Sequence, residues 1–388
     1  MSQETKHTSS HNGRRILISG GGSGGHVFPA IAIANELKNQ DPDCKIHFVG
    51  ATGKLEMKKV PQAGFSITGL PIRGMQRKWT LKNISVPFRL LISLWKARKL
   101  IREFKPDVAV GVGGYASFPI LRAASRMKVP TIVQEQNSYA GVANRLLKKS
   151  ADWFFVAYEE TRKVFPEEKI IKTGNPVRVE LKEEKTTVQD AKKHFGLDAN
   201  KPAVLLMGGS LGARSLNNAM VANADAIASN PDIQWFWQSG SLYEKEMAES
   251  RTASLDNVKM TAFIDRMDLA YKMADLIVCR SGAMTIAEIC LLGKPAILVP
   301  SPNVAEDHQT MNANALVEEG AALLVKDTNA NEKLILKAVE VLQEDARLIE
   351  LGKNALRMSK PNATADIASC ILKVAKGQNP KGDIEDDN

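Results

Sequence analysis

Two short runs combine glycine with a hydroxyl side chain just after an apolar stretch. Gly20–His26 reads GGGSGGH and follows RRILIS, and Gly208–Gly212 reads GGSLG and follows PAVLLM. A glycine turn that opens a helix presents backbone N–H groups and the positive end of the helix dipole, which suits a phosphate. In the first run His26 stands directly after the glycines. An imidazole there can take a proton from a hydroxyl or donate to a phosphate, or can simply pack at a helix start. The second run offers Ser210. A third stretch, RSGAMTIAE (Arg280–Glu288), places Ser281 and Gly282 at a helix start and Glu288 more than one turn in, where a carboxylate can accept from a ribose diol. QEQN (Gln134–Asn137) supplies Glu135 and three amides, and EDHQTMNA (Glu306–Ala313) supplies Asp307, His308 and Gln309. Amides and carboxylates of this kind read sugar hydroxyls, and Glu135 can also orient or act as a base.

Several chemistries lack their residues. No Gly-Lys-Ser/Thr follows the glycines, and GATGK at Gly50–Lys54 runs into Leu55, so neither is a Walker loop. The second strand ends at Gly50, where a dinucleotide fold would carry an acid for the ribose. No Asp-x-Asp pair or His/Asp cluster offers a metal site, so a diphosphate would be neutralised by helix starts and N–H groups. The four cysteines, Cys44, Cys279, Cys290 and Cys370, have no metal-ligand spacing and read as buried reduced thiols.

Positioning these loops takes alternating elements. Expected strands are Arg15–Ser19, Lys45–Val49, Val108–Val112, Thr131–Gln134 and Trp153–Val156, then Ala203–Met207, Ile233–Gln238, Val258–Thr261, Leu276–Cys279 and Ala296–Val299. Helical patterns, such as Pro29–Lys38 and Phe88–Phe104, lie between them. The alternation predicts an α/β protein with two Rossmann-like parallel sheets, whose ligands bind beyond the carboxyl ends of the strands. PDVAVGVGGYASFP is echoed by ADLIVCRSGAMTIAE, and KVPTIVQEQN by KPAILVPSPN, so each half reads as one complete unit. The expected domains are 14–177 and 178–358, with TGNPVR (Thr173–Arg178) as the hinge and a helix at 363–376 packing back on the first domain. Residues 1–13 and 377–388 read as disordered tails. The N-terminus lacks the apolar core of a signal peptide.

The net charge of +9 is unevenly spread. Residues 1–177 hold 28 Lys/Arg against 13 Asp/Glu, whereas residues 178–388 hold 24 against 30. A basic first half calls for an anionic partner. No nucleic-acid-binding motif accompanies the charge, which points away from nucleic acid. Trp79 and Leu81 alternate with Arg77 and Lys78 in a loop, as residues at an anionic bilayer surface do. The helix that follows has an apolar stripe, which a helix packed on a sheet needs in any case.

Seven ordered motifs, GGGSGGHVFPA, GVGGYASFP, EQNSYAGVANRLL, TGNPVR, GGSLGARSLN, AFIDRM and CRSGAMTIAE, extend the reading. With them the sequence resembles the MurG family of bacterial peptidoglycan glycosyltransferases, from Arg14 to about Lys376. The resemblance implies a GT-B fold, two Rossmann-like domains facing a deep cleft. It implies transfer of N-acetylglucosamine (GlcNAc) from UDP-GlcNAc to the C4 hydroxyl of N-acetylmuramic acid (MurNAc) in undecaprenyl-diphosphate-MurNAc-pentapeptide (lipid I), with inversion and no cofactor. Carried onto this chain, Ser210 contacts the diphosphate, Ile264 the uracil, and Arg178 lies near the base. Ala283, Met284, Thr285, Ile286, Ala287 and Glu288 wrap the nucleotide, with Glu288 on the ribose, and Gln309 reads the GlcNAc. Ser23, Gly24, Gly25 and Asn137 approach the sugars and diphosphates. His26 or Glu135 is the base, and the Trp79 loop is a membrane contact. The first glycine turn then serves the acceptor's diphosphate and the reacting sugars, the second the donor's diphosphate. The implied location is the cytoplasmic face of the inner membrane, with an anionic membrane surface and other cell-wall synthesis proteins as partners. This chain has Ser23 where many members have Thr, His308 where some have Gln, and Met311 where some have Trp. Other readings are a related transferase with another lipid acceptor, a UDP-GlcNAc 2-epimerase, and a non-catalytic nucleotide-sugar or scaffold protein.

Overall fold

The computed structural model describes residues 13–74, 85–178, 181, 185–304 and 307–381. The chain forms two compact units. One comprises residues 1–135, 140–176 and 362–388, and the other residues 136–139 and 177–361.

Among the described residues the first unit carries seven strands: β1 (Arg15–Ser19), β2 (Lys45–Ala51), β3 (Ser66–Leu70), β4 (Val108–Gly111), β5 (Thr131–Glu135), β6 (Trp153–Val156) and β7 (Ile170–Lys172). They form one parallel sheet in the order β3-β2-β1-β4-β5-β6-β7. The second unit carries β8 (Ala203–Met207), β9 (Gln234–Gln238), β10 (Val258–Thr261), β11 (Leu276–Cys279), β12 (Ala296–Leu298) and β13 (Leu323–Leu324). Their order is β10-β9-β8-β11-β12-β13, again parallel. Helices cover both faces, so the central strands are apolar throughout rather than alternating. β4, β8 and β11 are buried along their whole length. Both units are Rossmann-like, and the fold class is α/β of the GT-B type.

In each sheet the chain winds outward on one side, then returns to start the other side. The reversal falls between β1 and β4 in the first sheet and between β8 and β11 in the second. At such a switch point the two neighbouring strands send their loops apart, which leaves room for a ligand. The loops after these four strands are Gly20–Gly25, Val112–Ala116, Gly208–Ala213 and Arg280–Gly282, the same stretches that carry the glycines and hydroxyls.

Three features differ from the sequence expectation. The helix expected at Pro29–Lys38 runs from Gly24 to Gln40. Glycines are poor helix formers and proline prefers the first turn, so the pattern hides the true start. β3, β7 and β13 were not expected; β7 and β13 have only three and two residues, too few to show a pattern. The third concerns the helix Ser85–Phe104. It turns Ser93, Ala97 and Ile101 inward, while Phe88, Leu91, Ile92 and Trp95 of the expected stripe or beside it are exposed.

The helix Ala363–Ala375 lies in the first unit. Ile367, Ala368 and Ile371 join the core with Ile16, Ile33 and Leu37, and Gln40 Nε2 donates to the Ala365 carbonyl at 3.0 Å. In the second unit Lys294 follows the left-handed cap Gly293 and donates to the carbonyls of Lys272 (3.2 Å) and Ala274 (2.8 Å). Burial lowers its pKa from 10.5 to about 8, against the opposing pull of Asp275. Between those values the unfolded chain holds a proton there that the folded chain has released, so stability rises with pH. Compared with Lys294→Met, the wild-type protein should gain stability from about pH 8 to pH 10, read by denaturant unfolding across that range; parallel curves would remove the assignment.

Candidate active site

In the first unit the loops after β1 and β4 are tied together. Ser117 Oγ donates to Ser19 O at 2.9 Å and to Gly113 O at 2.8 Å. Glu56 is fully buried beneath the first glycine loop. Its Oε2 accepts from Gly22 N–H at 2.9 Å and its Oε1 from Ala51 N–H at 2.8 Å. The Gly22 N–H is thus turned toward a carboxylate. The part of this loop suited to an anion is the helix start at Gly24, where Ser23 is the N-cap residue. That start has no side-chain cap and no acid in its first turn. Ser23 and Gly25 are exposed and Gly24 and His26 half-buried. His26 Nδ1 lies 3.2 Å from Ser23 Oγ. Its ring packs over Gly113, where φ is +94° and an added Cβ would fall 2.7 Å from Nε2. The imidazole is therefore positioned by a backbone that only glycine adopts comfortably.

Glu135 ends β5, next to β4. It is only 2 % exposed, and its Oε2 accepts from Gly141 N–H at 2.9 Å and Asn144 Nδ2 at 2.8 Å. The carboxylate thereby closes the loop that carries Gln136–Tyr139. Those four residues group with the second unit. There Asn312 Oδ1 accepts from Ser138 N–H and Oγ at 3.1 and 2.9 Å, and Asn312 Nδ2 donates to Asn137 Oδ1 at 3.4 Å.

In the second unit Ser210 is exposed at the tip of Gly208–Gly212. The helix after it, Arg214–Ala222, again lacks a side-chain cap and a first-turn acid, as does Ala283–Leu292 behind Gly282. A side-chain cap is uncommon in this chain: among the described α-helices with an assigned N-cap residue, Val188–His194 has one, from Thr187. Helix starts left uncapped beside a switch point keep N–H donors for a ligand. Ser281 Oγ donates to Gln309 O at 2.8 Å, and Gln309 Oε1 accepts from Ser301 N–H at 2.8 Å, which fixes the Gln309 amide beside the Ser281 turn. Met284, Thr285 and Ala287 are half-buried on the helix, Ala283 and Ile286 are buried, and Ile264 is buried in the stretch between β10 and the helix Met267–Met273. Glu288 Oε1 accepts from Arg178 Nε (3.1 Å) and Nη2 (2.9 Å), and Oε2 accepts from Tyr271 O–H (2.7 Å).

Arg280 and Asp327 had drawn no role from the sequence. The Arg280 guanidinium donates to Val299 O, Pro300 O, Asp327 and Ser215 Oγ, so it binds the β12 end to the start of the Ser210 helix. Nor had Glu56, Tyr271 or Asn312; a buried polar partner has no local sequence signature. Trp79, Leu81, Arg77 and Lys78 lie outside the described residues.

Residues 16–156 match the glycosyltransferase family 28 N-terminal domain, and residues 203–368 the glycosyltransferase family 28 C-terminal domain. The paired sheets and their switch-point loops are thus those of a family 28 glycosyltransferase. A Bacteroides thetaiotaomicron protein named UDP-N-acetylglucosamine–N-acetylmuramyl-(pentapeptide) pyrophosphoryl-undecaprenol N-acetylglucosamine transferase is 50% identical over 367 residues, 94% of this chain and 99% of that protein. The crystal structure of Acinetobacter baumannii MurG aligns with a TM-score of 0.73 at 27% identity, over 93% of this chain and 99% of that one. The chain belongs to this transferase family, MurG. A UDP-GlcNAc 2-epimerase from Neisseria meningitidis, solved with UDP-GlcNAc, aligns with a TM-score of 0.67 at 17% identity over 92% of this chain and 100% of that one, a likeness of fold alone.

The Ser210 loop depends on close backbone packing. Gly240 has φ of +83°, and a Cβ there would lie 2.1 Å from Gly212 Cα and N. Gly240→Ala should destabilise the protein by about 2 kcal/mol or more and weaken UDP binding at least tenfold, read by denaturant titration and calorimetry. Wild-type affinity in a folded variant would show that the loop is not held this way.

Proposed function

We propose that this protein transfers GlcNAc from UDP-GlcNAc to the C4 hydroxyl of MurNAc in undecaprenyl-diphosphate-MurNAc-pentapeptide. The observation that carries the reading is the placing of glycine-rich helix starts at the switch points of both sheets, in a chain half-identical to a relative named for this transfer. The donor sits on the second unit. Its diphosphate lies at the Ser210 turn and the Ala283 helix start, its uracil near Ile264 and Arg178, its ribose at Glu288 and its GlcNAc at Gln309 and Asn137. The acceptor is handled by Ser23, Gly24 and Gly25.

The acceptor oxygen attacks C1 of GlcNAc on the face opposite UDP. The C–O bond to UDP breaks, a β-1,4 bond forms, and the electron pair leaves with the diphosphate. Helix starts and backbone N–H groups stabilise that charge where it develops. His26 takes the hydroxyl proton. Of the two candidate bases it is the more accessible, and Ser23 Oγ lies 3.2 Å from Nδ1 of its ring. Glu135 orders the loop that closes over Gly141 and Asn144 rather than serving as the base.

The acceptor's lipid places the enzyme on the cytoplasmic face of an anionic bilayer. Among the described residues no helix is long and apolar enough to cross a membrane. The helix Ser85–Phe104 supports a peripheral contact, since Phe88 and Trp95 are 66 % and 63 % exposed beside Arg89, Lys96 and Lys99. Apolar wedges ringed by cations partition into an anionic interface.

With labelled UDP-GlcNAc and a lipid I analogue, the wild-type enzyme should form the disaccharide lipid. His26→Ala should lower kcat by roughly 10²–10⁴-fold. Sugar released as UDP-ManNAc without lipid, or full turnover by His26→Ala, would overturn the respective assignment. Phe88→Glu/Trp95→Glu should abolish flotation with anionic liposomes while UDP affinity stays unchanged; unaltered flotation would remove this helix from the membrane contact.

A further inference from the structure

Glu288 has two hydrogen-bonding partners of opposite character. Tyr271 lies on the helix Met267–Met273, is 1 % exposed, and is packed in the core with Ile277, Ile286 and Ile289. Its hydroxyl cannot leave Glu288 Oε2 without breaking that core. Burial and the Glu288 charge both raise its pKa well above 10, so it stays a neutral donor. The Arg178 side chain is 37 % exposed and lies one residue past the point where the chain enters the second unit. Its Nε and Nη2 both donate to Oε1. Glu288 therefore has one oxygen held from inside the fold and one held by a part-exposed side chain.

We infer that Tyr271 is a positioning residue for the donor nucleotide. It fixes Glu288 Oε2 so that Oε1 is handed from Arg178 to a ribose hydroxyl when a uridine diphosphate binds. The inference rests on the reading of Glu288 as the ribose acceptor. Without the Tyr271 hydroxyl the carboxylate can rotate about its last bonds, follow Arg178 and lose its aim. A fixed acceptor gives discrimination, because a ligand lacking the hydroxyl leaves the buried oxygen unpaired. Arg178 and the ribose then compete for one atom, so occupancy by UDP should free the guanidinium of its carboxylate.

The test uses the full-length enzyme and calorimetric affinities for UDP, 2′-deoxy-UDP and 3′-deoxy-UDP. Wild type should bind at least one deoxy analogue about 10- to 100-fold more weakly than UDP. Equal affinity for all three would overturn the assignment of Glu288 to the ribose, and this proposal with it. In Tyr271→Phe the deoxy penalty should shrink to about threefold or less, and KM for UDP-GlcNAc should rise while KM for the lipid acceptor does not. A Tyr271→Phe enzyme of lower Tm that keeps the wild-type penalty would mean that the hydroxyl only stabilises the fold. Glu288→Asp provides a second reading if Tyr271→Phe does not fold. One methylene shorter, its carboxylate can reach Tyr271 or the ribose but not both, so it too should lose the penalty. Wild-type ratios in Glu288→Asp would overturn the proposal.

Discussion

A parallel sheet that winds outward from its middle must part its loops at one place, and both units carry their glycine and hydroxyl loops there. β1 and β4 are neighbours in the first sheet, β8 and β11 in the second. Their connections leave in opposite directions, and each opens a helix whose N-terminus faces the gap. A helix start exposes N–H groups that must be satisfied by a cap, by water or by a ligand. Where a cap is present, as at Thr187, the helix end is self-sufficient. All four switch-point helices, which begin at Gly24, Ser117, Arg214 and Ala283, have no side-chain cap and no acid in the first turn. Topology fixes where these helix starts lie, and no side-chain cap engages their N–H groups.

Glycine turns flexible enough to approach a phosphate are also flexible enough to lose their shape. The structure braces several loops of the site with a charged group, buried at Glu56 and Glu135 and half-buried at Arg280. Glu56 holds the Gly22 backbone, Glu135 the loop ahead of Gly141, and Arg280 the Ser215 helix start and the β12 end. Buried charges are costly unless fully paired, and each of these has two or more partners that satisfy it. The brace thus converts a desolvation penalty into local rigidity, which a site needs if its donors are to be in place before the charge develops.

The strands that build the switch points were legible because burial on both faces writes a continuous apolar run. β1, β6, β8, β10 and β11 begin and end at the residues the pattern marks. Edge strands β7 and β13 were not legible, since two or three residues carry no period. The glycine loops, Glu288 and Gln309 stood out by type and spacing. Their braces did not, because Glu56 lies 34 residues from Gly22 and Tyr271 lies 17 from Glu288, pairings that only the folded chain creates. The helix Ser85–Phe104 misled for a related reason. An amphipathic stripe states that one face is apolar, not whether core or another phase covers it. Here small residues, Ser93 and Ala97, meet the sheet layer, and the large ones face outward.

The two glycine loops look alike in sequence yet differ in what lies behind them. Behind Gly20–Gly25 stands the Glu56 carboxylate, which takes the Gly22 N–H and sets a negative charge under the loop. Behind Gly208–Gly212 lies backbone: Gly212 N–H closes on Gly209 O, and Ser241 N–H and Oγ donate to Ser210 O. A carboxylate under the first loop weakens its hold on an anion. The two turns, alike in sequence, therefore differ in what holds them: a buried carboxylate behind the first and backbone groups behind the second.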